Sequence, residues 1–283
     1  MTVRLIHSPI HSCTLMETST NHRVSDLFEQ QKHDILSVYY TAGYPQLNDT
    51  VRIAEYLEQA GADMIEIGMP YSDPVADGPT IQQSGSQALN NGMTIRLLFE
   101  QLQDIRSRVS LPLILMGYLN PALQYGLERF CQQCQKVGID ALIIPDLPMQ
   151  EYLDEYKALF ESYGLYNIFL ISPQTSEDRI RRIDEHSHGF IYMVSSASIT
   201  GARSQITDEQ IAYFERIRQM DLRHPTLIGF GISSYDTFRT ACDHAQGAII
   251  GSAFIKVLAK SQDMEQDIHR FVKQVKEPGG SAS

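Results

Sequence analysis

The chain of 283 residues, 43% hydrophobic and 20% charged, is long enough for one large single-core domain. Its formal charge of −11 opposes a nucleic-acid partner, which calls for Lys and Arg gathered on one face; small anions stay open, because backbone N–H groups bind them without net positive charge. No apolar run approaches the length that crosses a bilayer, and four scattered cysteines, Cys13, Cys131, Cys134 and Cys242, argue against a disulfide framework and for the cytoplasm.

Residues 1–15 carry one Arg, no continuous apolar core and polar breaks at His7, Ser8 and His11, so no signal peptide is expected and residues 1–20 read as a flexible extension. Short β-branched runs then start near residues 37, 63, 111, 139, 166, 189, 226 and 247, with helical periodicity between them. The first run leads to a helix with Ile53, Ala54, Leu57 and Ala60 on its inner stripe, stopped by Gly61. The second run, residues 63–68, contains Glu66. An isolated carboxylate in an apolar strand costs several kcal/mol, so Glu66 is paired, protonated or working.

The longest interval follows, with Ile95, Leu98, Leu102 and Ile105 on one helical face, so extra structure is expected between strands two and three. Cys131 and Cys134 fall mid-helix with no second pair to complete a zinc site; they read as packing residues, and no metal is expected. Residues 141–144 precede a helix carrying Leu153, Tyr156 and Phe160, and residues 167–171 precede one opened by Thr175 with Asp178 as its capping partner. After the sixth strand, Thr207 and Gln210 have capping-box spacing, with Ile211, Phe214 and Ile217 inward. The last two strands each run into glycine, and residues 277–283 read as a flexible tail.

Regular β-α alternation implies a parallel sheet, and eight such strands within about 250 residues imply a closed (β/α)8 TIM barrel. Residues 21–276 therefore read as a single barrel domain with extra helices. Barrel sites lie at the C-terminal ends of the strands. Alternation puts Met64, Glu66 and Gly68 on one face and Ile65 and Ile67 on the other; the apolar pair faces the helices and Glu66 points into the mouth. Gly229 and Gly231 follow strand seven, and Gly251 and Ser252 follow strand eight. These are the two loops where barrels cup a phosphate, and Ser252 is expected to open a helix there.

The run EIGMPYSDPVADGPTIQ at 66–82, with TAGYP at 41–45, MGYLNP at 116–121, PDLP at 145–148, GFGIS at 229–233 and GS at 251–252, resembles the tryptophan synthase α subunit family in content and order. The resemblance covers roughly residues 25–260. It implies a lyase that splits indole-3-glycerol phosphate into indole and glyceraldehyde 3-phosphate. No cofactor is implied in this chain; the indole passes to a pyridoxal-phosphate-dependent β subunit within an α2β2 heterotetramer. By the same resemblance Glu66 is the acid/base, Asp77 holds the indole N–H and Tyr192, taken to end strand six, hydrogen-bonds within the site. Tyr39, Met116, Ile143 and Phe230 then line the indole pocket. Gly201, Gly231, Gly251 and Ser252 supply phosphate contacts, and Thr200 belongs to the lid over the substrate.

Read alone, Asp77 before Gly78 suits a solvated turn and Tyr192 a core aromatic. Many family members carry Ser-Arg-Ala-Gly-Val-Thr-Gly after strand six, where this chain has Ser-Ser-Ala-Ser-Ile-Thr-Gly at 195–201, which puts lid closure and coupling to the partner in question. Two alternatives stand beside the lyase. One is a catalytically impaired subunit that mainly activates the β subunit. The other is another phosphate-binding barrel, such as a sugar-phosphate isomerase or epimerase, which shares the last glycine loops but leaves the segment from Glu66 to Asp77 unexplained.

Overall fold

The computed structural model describes residues 22–75, 77–195, 206–229 and 231–278. The expected extension over residues 1–20, the loop carrying Thr200 and Gly201, and Phe230 lie outside the described residues. Nine parallel segments form one sheet: β1 (Ile35–Thr41), β2 (Met64–Gly68), β3 (Leu113–Met116), β4 (Ala141–Ile143), β5 (Tyr166–Asn167), β6 (Leu170–Ile171), β7 (Ile191–Val194), β8 (Thr226–Gly229) and β9 (Gly247–Ile250). Their order is β5-β4-β3-β2-β1-β9-β8-β7-β6.

One expected strand is thus two. β5 pairs with β4, and β6 pairs with β7. Between them the ladder continues through backbone bonds: Ile168 N donates to Leu142 O and Phe169 O accepts from Tyr192 N, both at 2.9 Å. The two ends of the sheet are therefore halves of a single strand that serves one neighbour with each half, as the stagger of a closed barrel requires. The ring closes as an eight-stranded barrel.

Alternation along the strands separates two apolar layers. Ile65 and Ile67 belong to the outer one, between barrel and helices. Met64, Ile114, Ala141, Ile143, Ile168, Tyr192, Leu227 and Ile249 fill the inside. The outer ring comprises α2 (Thr50–Ala60), α3 (Pro79–Asn90), α4 (Ile95–Gln101), α5 (Leu119–Tyr125), α6 (Leu127–Val137), α7 (Met149–Glu151), α8 (Lys157–Ser162), α9 (Glu177–His186), α10 (Asp208–Gln219), α11 (Tyr235–Cys242), α12 (Ser252–Lys260) and α13 (Met264–Lys276). The long interval holds α3 and α4. Cys131 and Cys134 are buried in α6.

α1 (Arg23–Gln30) was not anticipated. Its Val24, Leu27 and Phe28, at i, i+3 and i+4, pack into the inner layer beside Ile35 and Phe190. That plugs the N-terminal end of the barrel and leaves the C-terminal mouth as the open end.

A recurring brace staples neighbouring strands. Leu36 N donates to Asp63 Oδ2 (2.8 Å), Leu113 N to Asp140 Oδ2 (2.8 Å) and Thr226 N to Gln246 Oε1 (2.7 Å). In each, the side chain just before one strand takes an N–H at the start of its predecessor, satisfying a group the ladder leaves unpaired. Asp140 also takes Arg23 Nη1 at 3.0 Å and pairs with Arg106.

Local punctuation follows the sequence with two corrections. Gly61 ends α2 at φ 92°, and Thr207 and Gln210 form the reciprocal capping box of α10. The cap of α9 is Ser176, whose side chain accepts from Arg179 N, and not Thr175; Thr175 Oγ1 is already taken by Ser172 N at 2.9 Å. The helix expected to carry Leu153, Tyr156 and Phe160 contains a π-turn at Tyr152–Tyr156. That extra residue per turn brings Tyr152 into the core beside Phe160 and leaves Leu153 and Tyr156 only partly buried. Among the described residues no helix is long and apolar enough to cross a membrane.

Candidate active site

Glu66 sits mid-strand in β2, opposite Tyr39 of β1 and Ile114 of β3. It is fully buried. Its Oε1 accepts a 2.8 Å bond from Ser37 Oγ on β1, and its Oε2 has no hydrogen-bond partner among the described residues. Burial pushes the carboxyl up to about 7, and the Ser37 bond only partly offsets that shift. An interior carboxyl with one oxygen unpaired is a group held ready for a proton.

Asp77 lies on the loop between β2 and α3 and is partly buried. Its Oδ2 accepts from Tyr118 Oη at 3.2 Å. Burial raises this carboxyl to about 6, against the lowering pull of Tyr118. Tyr118 in turn packs on Tyr71 of the Asp77 loop, ring centroids 5.2 Å apart.

Two phenols share this space. Tyr39 and Tyr192 are both raised, first by burial and then by the charges of Glu66 and Asp77, so both phenols lie within electrostatic reach of both carboxyls. Tyr192 is the second residue of β7 and not its last; it reaches the mouth by leaning upward over the next strand. A Cβ on Gly229 would come within 2.2 Å of its hydroxyl. Tyr39 repeats the arrangement over Gly68, at 2.1 Å. Each phenol is seated in a gap that only glycine leaves.

The walls are apolar. Met116, Leu170 and Val194 project from the inner layer and stay partly exposed, while Ile143, paired with Met116, is fully buried beneath. Phe230 lies outside the described residues. Beyond the walls, Gly231 turns at φ 78° after β8, and Gly251 and Ser252 form the N-terminus of α12 directly after β9. The Tyr39 ring comes within 3.3 Å of where a Gly251 side chain would begin. Free N–H groups at a helix start favour an anion there, next to the aromatic wall.

Sequence reasoning did not find Ser37, Tyr118, Leu170 or Val194. Ser37 was open to it, since period-2 alternation puts it on the same face of β1 as Tyr39, the register partner of Glu66. Tyr118 lay within a quoted motif, yet only the fold brings it across to Asp77.

A sequence model described as tryptophan synthase alpha chain matches residues 26–280. The tryptophan synthase alpha chain of Flavobacterium johnsoniae is 59% identical over 247 residues, covering 87% of this chain and 97% of the relative. That of Bacteroides thetaiotaomicron is 51% identical, covering 90% and 99%. Among solved structures, the tryptophan synthase alpha chain of Legionella pneumophila superposes with a TM-score of 0.81 at 31% identity, over 90% of this chain and 96% of that one. With a family model spanning nearly the whole barrel and relatives matched over almost their full length, the chain belongs to the tryptophan synthase alpha chain family, a family of lyases.

Proposed function

We propose that this chain cleaves indole-3-glycerol phosphate to indole and glyceraldehyde 3-phosphate by a retro-aldol reaction. The observation that carries the reading is Glu66: a buried carboxyl at the barrel mouth, raised to about 7, with one oxygen unpaired. In its protonated form it delivers a proton to C3 of the indole, making an indolenine. Positive charge then develops on the ring nitrogen, where the ionised Asp77 holds the N–H and stabilises it. The now ionised Glu66 takes the proton of the glycerol hydroxyl next to the ring. As the aldehyde C=O forms, the C–C bond to the indole breaks and its electron pair returns to the ring. One proton enters and one leaves. The protonated indole is its own electron sink, so no cofactor is assigned to this chain.

Tyr192 hydrogen-bonds within the site, and Tyr39, Met116 and Ile143 shape the flat pocket. Gly231, Gly251 and Ser252 hold the phosphate, chiefly through backbone N–H groups. Roles for Thr200, Gly201 and Phe230 rest on the sequence resemblance. We assign the chain to the cytoplasm as a single barrel domain over residues 21–276, in an α2β2 complex with a pyridoxal-phosphate-dependent β subunit that receives the indole. Val75 at 80% and Leu123 at 43% are the large apolar side chains left exposed among the described residues. They sit on the Asp77 loop and on α5, whose first turn is tied to that loop by the Tyr71 and Tyr118 contact, and we assign the β-subunit contact to this side of the molecule.

A coupled assay tests the whole assignment. The chain with β subunit, serine and indole-3-glycerol phosphate should yield tryptophan. No tryptophan from that mixture, while the β subunit alone still uses added indole, would refute it.

A further inference from the structure

Asp77 has no strand of its own, so its position depends on what holds the loop. Gln82, in the first turn of α3, donates from Nε2 to the carbonyls of Asp77 (2.9 Å) and Pro74 (3.3 Å). The loop therefore hangs from α3. That helix has a modest apolar grip on the barrel: its fully buried residues are Ser84, Gly85 and Ala88, which offer little surface to the hydrophobic effect, and Ile81 packs half-buried against the core.

Hydrogen bonds complete the orientation of α3. Thr41, the last residue of β1, has its Oγ1 2.7 Å from Ser84 Oγ, and both residues are only 1% exposed. Ser84 also donates its one hydroxyl hydrogen to Ile81 O at 2.8 Å, which leaves Thr41 to supply the proton between the two hydroxyls; the Thr41 hydroxyl also meets the Tyr39 phenol, so Ser84→Ala is the variant that removes the Ser84 bond alone. Further along the same face, Gln87 Nε2 donates to Pro45 O at 3.0 Å, and Asn91 Nδ2 donates to Gly43 O at 2.9 Å and Pro45 O at 3.0 Å. Those last bonds go to the β1 loop; the Thr41–Ser84 bond goes to the strand itself. It is also the hydrogen bond to the barrel that lies nearest Gln82 along the helix. α12, which begins at Ser252, packs against α3 from the other side.

Two buried hydroxyls are a costly way to fill space. A pair of apolar groups of the same shape is about as stable, but it would leave α3 free to slide on its Gly85 and Ala88 face. We infer that the Thr41–Ser84 hydroxyl bond is the pivot that fixes α3 on β1 and, through Gln82, sets where the Asp77 carboxylate stands over the ring nitrogen. Thr41 and Ser84 are positioning residues for the reaction. The inference deepens the proposed function and rests on the role given there to Asp77.

The test is steady-state cleavage of indole-3-glycerol phosphate by the α2β2 complex. Thr41→Val keeps the shape of the side chain and removes its proton, so it should fold; it lowers kcat by about ten- to a hundredfold with KM little changed, since the lost aim matters only once charge develops. Thr41→Ser restores kcat. Ser84→Ala behaves as Thr41→Val does, and in an Asp77→Asn background it costs no more than about twofold, because the two act on one interaction. A merely structural bond would shift the denaturation midpoint and leave kcat within about twofold. Wild-type kcat in Thr41→Val and Ser84→Ala, with kcat of Asp77→Asn lowered but measurable, overturns the inference alone. Wild-type kcat in Asp77→Asn overturns both the role of Asp77 and the inference built on it.

Discussion

Glu66 and Asp77 are both carboxyls, and their surroundings set them apart. Glu66 is sealed in the barrel with one hydrogen bond, from Ser37, and burial raises it to about 7; Asp77, half open and bonded to Tyr118, is raised to about 6. The proposed chemistry needs Glu66 protonated at the outset and Asp77 ionised. Activity therefore rises as pH climbs through about 6 and falls as it climbs through about 7, so kcat/KM follows a narrow bell between the two. The Tyr118 bond lowers the Asp77 value. Tyr118→Phe thus moves the acid limb to higher pH and leaves the alkaline limb in place; an unmoved acid limb would break the assignment. At this scale the sequence was informative where a residue contradicted its setting. A charge in an apolar strand announced Glu66, whereas Tyr118 and Ser37 contradict nothing and acquire meaning only from their neighbours.

The elements show a matched design in the two phenols. Tyr39 leans over Gly68 and Tyr192 over Gly229, each on the following strand in the ring. Gly68→Ala has to push the Tyr39 phenol aside and should cost about 1–3 kcal/mol. Gly85 of α3, buried but with nothing within 4 Å of a new Cβ, is the contrast: Gly85→Ala should gain about 0.5–1 kcal/mol from reduced backbone entropy. Denaturant midpoints with unchanged slopes check both, and equal effects at the two sites would contradict the seating argument. Strand periodicity carried most of the element order, because buried parallel strands are short apolar runs with sharp ends. It passed over α1, an eight-residue helix that precedes the first strand. It also misplaced the α9 cap, where Thr175 and Ser176 are equally good cap residues by type and only the Ser172 bond decides between them.

At the scale of the whole molecule, closure through the split strand and the α1 plug leave one open end among the described residues, the end at which Glu66, Asp77, Tyr39 and Tyr192 gather. The barrel was legible from alternation and count. The docking of α1 was not, since it depends on which end of the barrel lacks other cover. A mouth that carries the two carboxyls and the Gly231 and Gly251 turns, with Val75 exposed on the Asp77 loop, suits the proposed subunit that makes indole and hands it on. Chemistry and partner activation should then be separable. The decisive measurement compares wild type with Glu66→Gln in complex with the β subunit, given either indole-3-glycerol phosphate or indole, each with serine. The account predicts that Glu66→Gln loses about 10²–10⁴-fold in indole formation while tryptophan synthesis from added indole stays at the wild-type rate. Indole release by Glu66→Gln within about threefold of wild type, where removing a general acid/base costs at least 10²-fold, would contradict it.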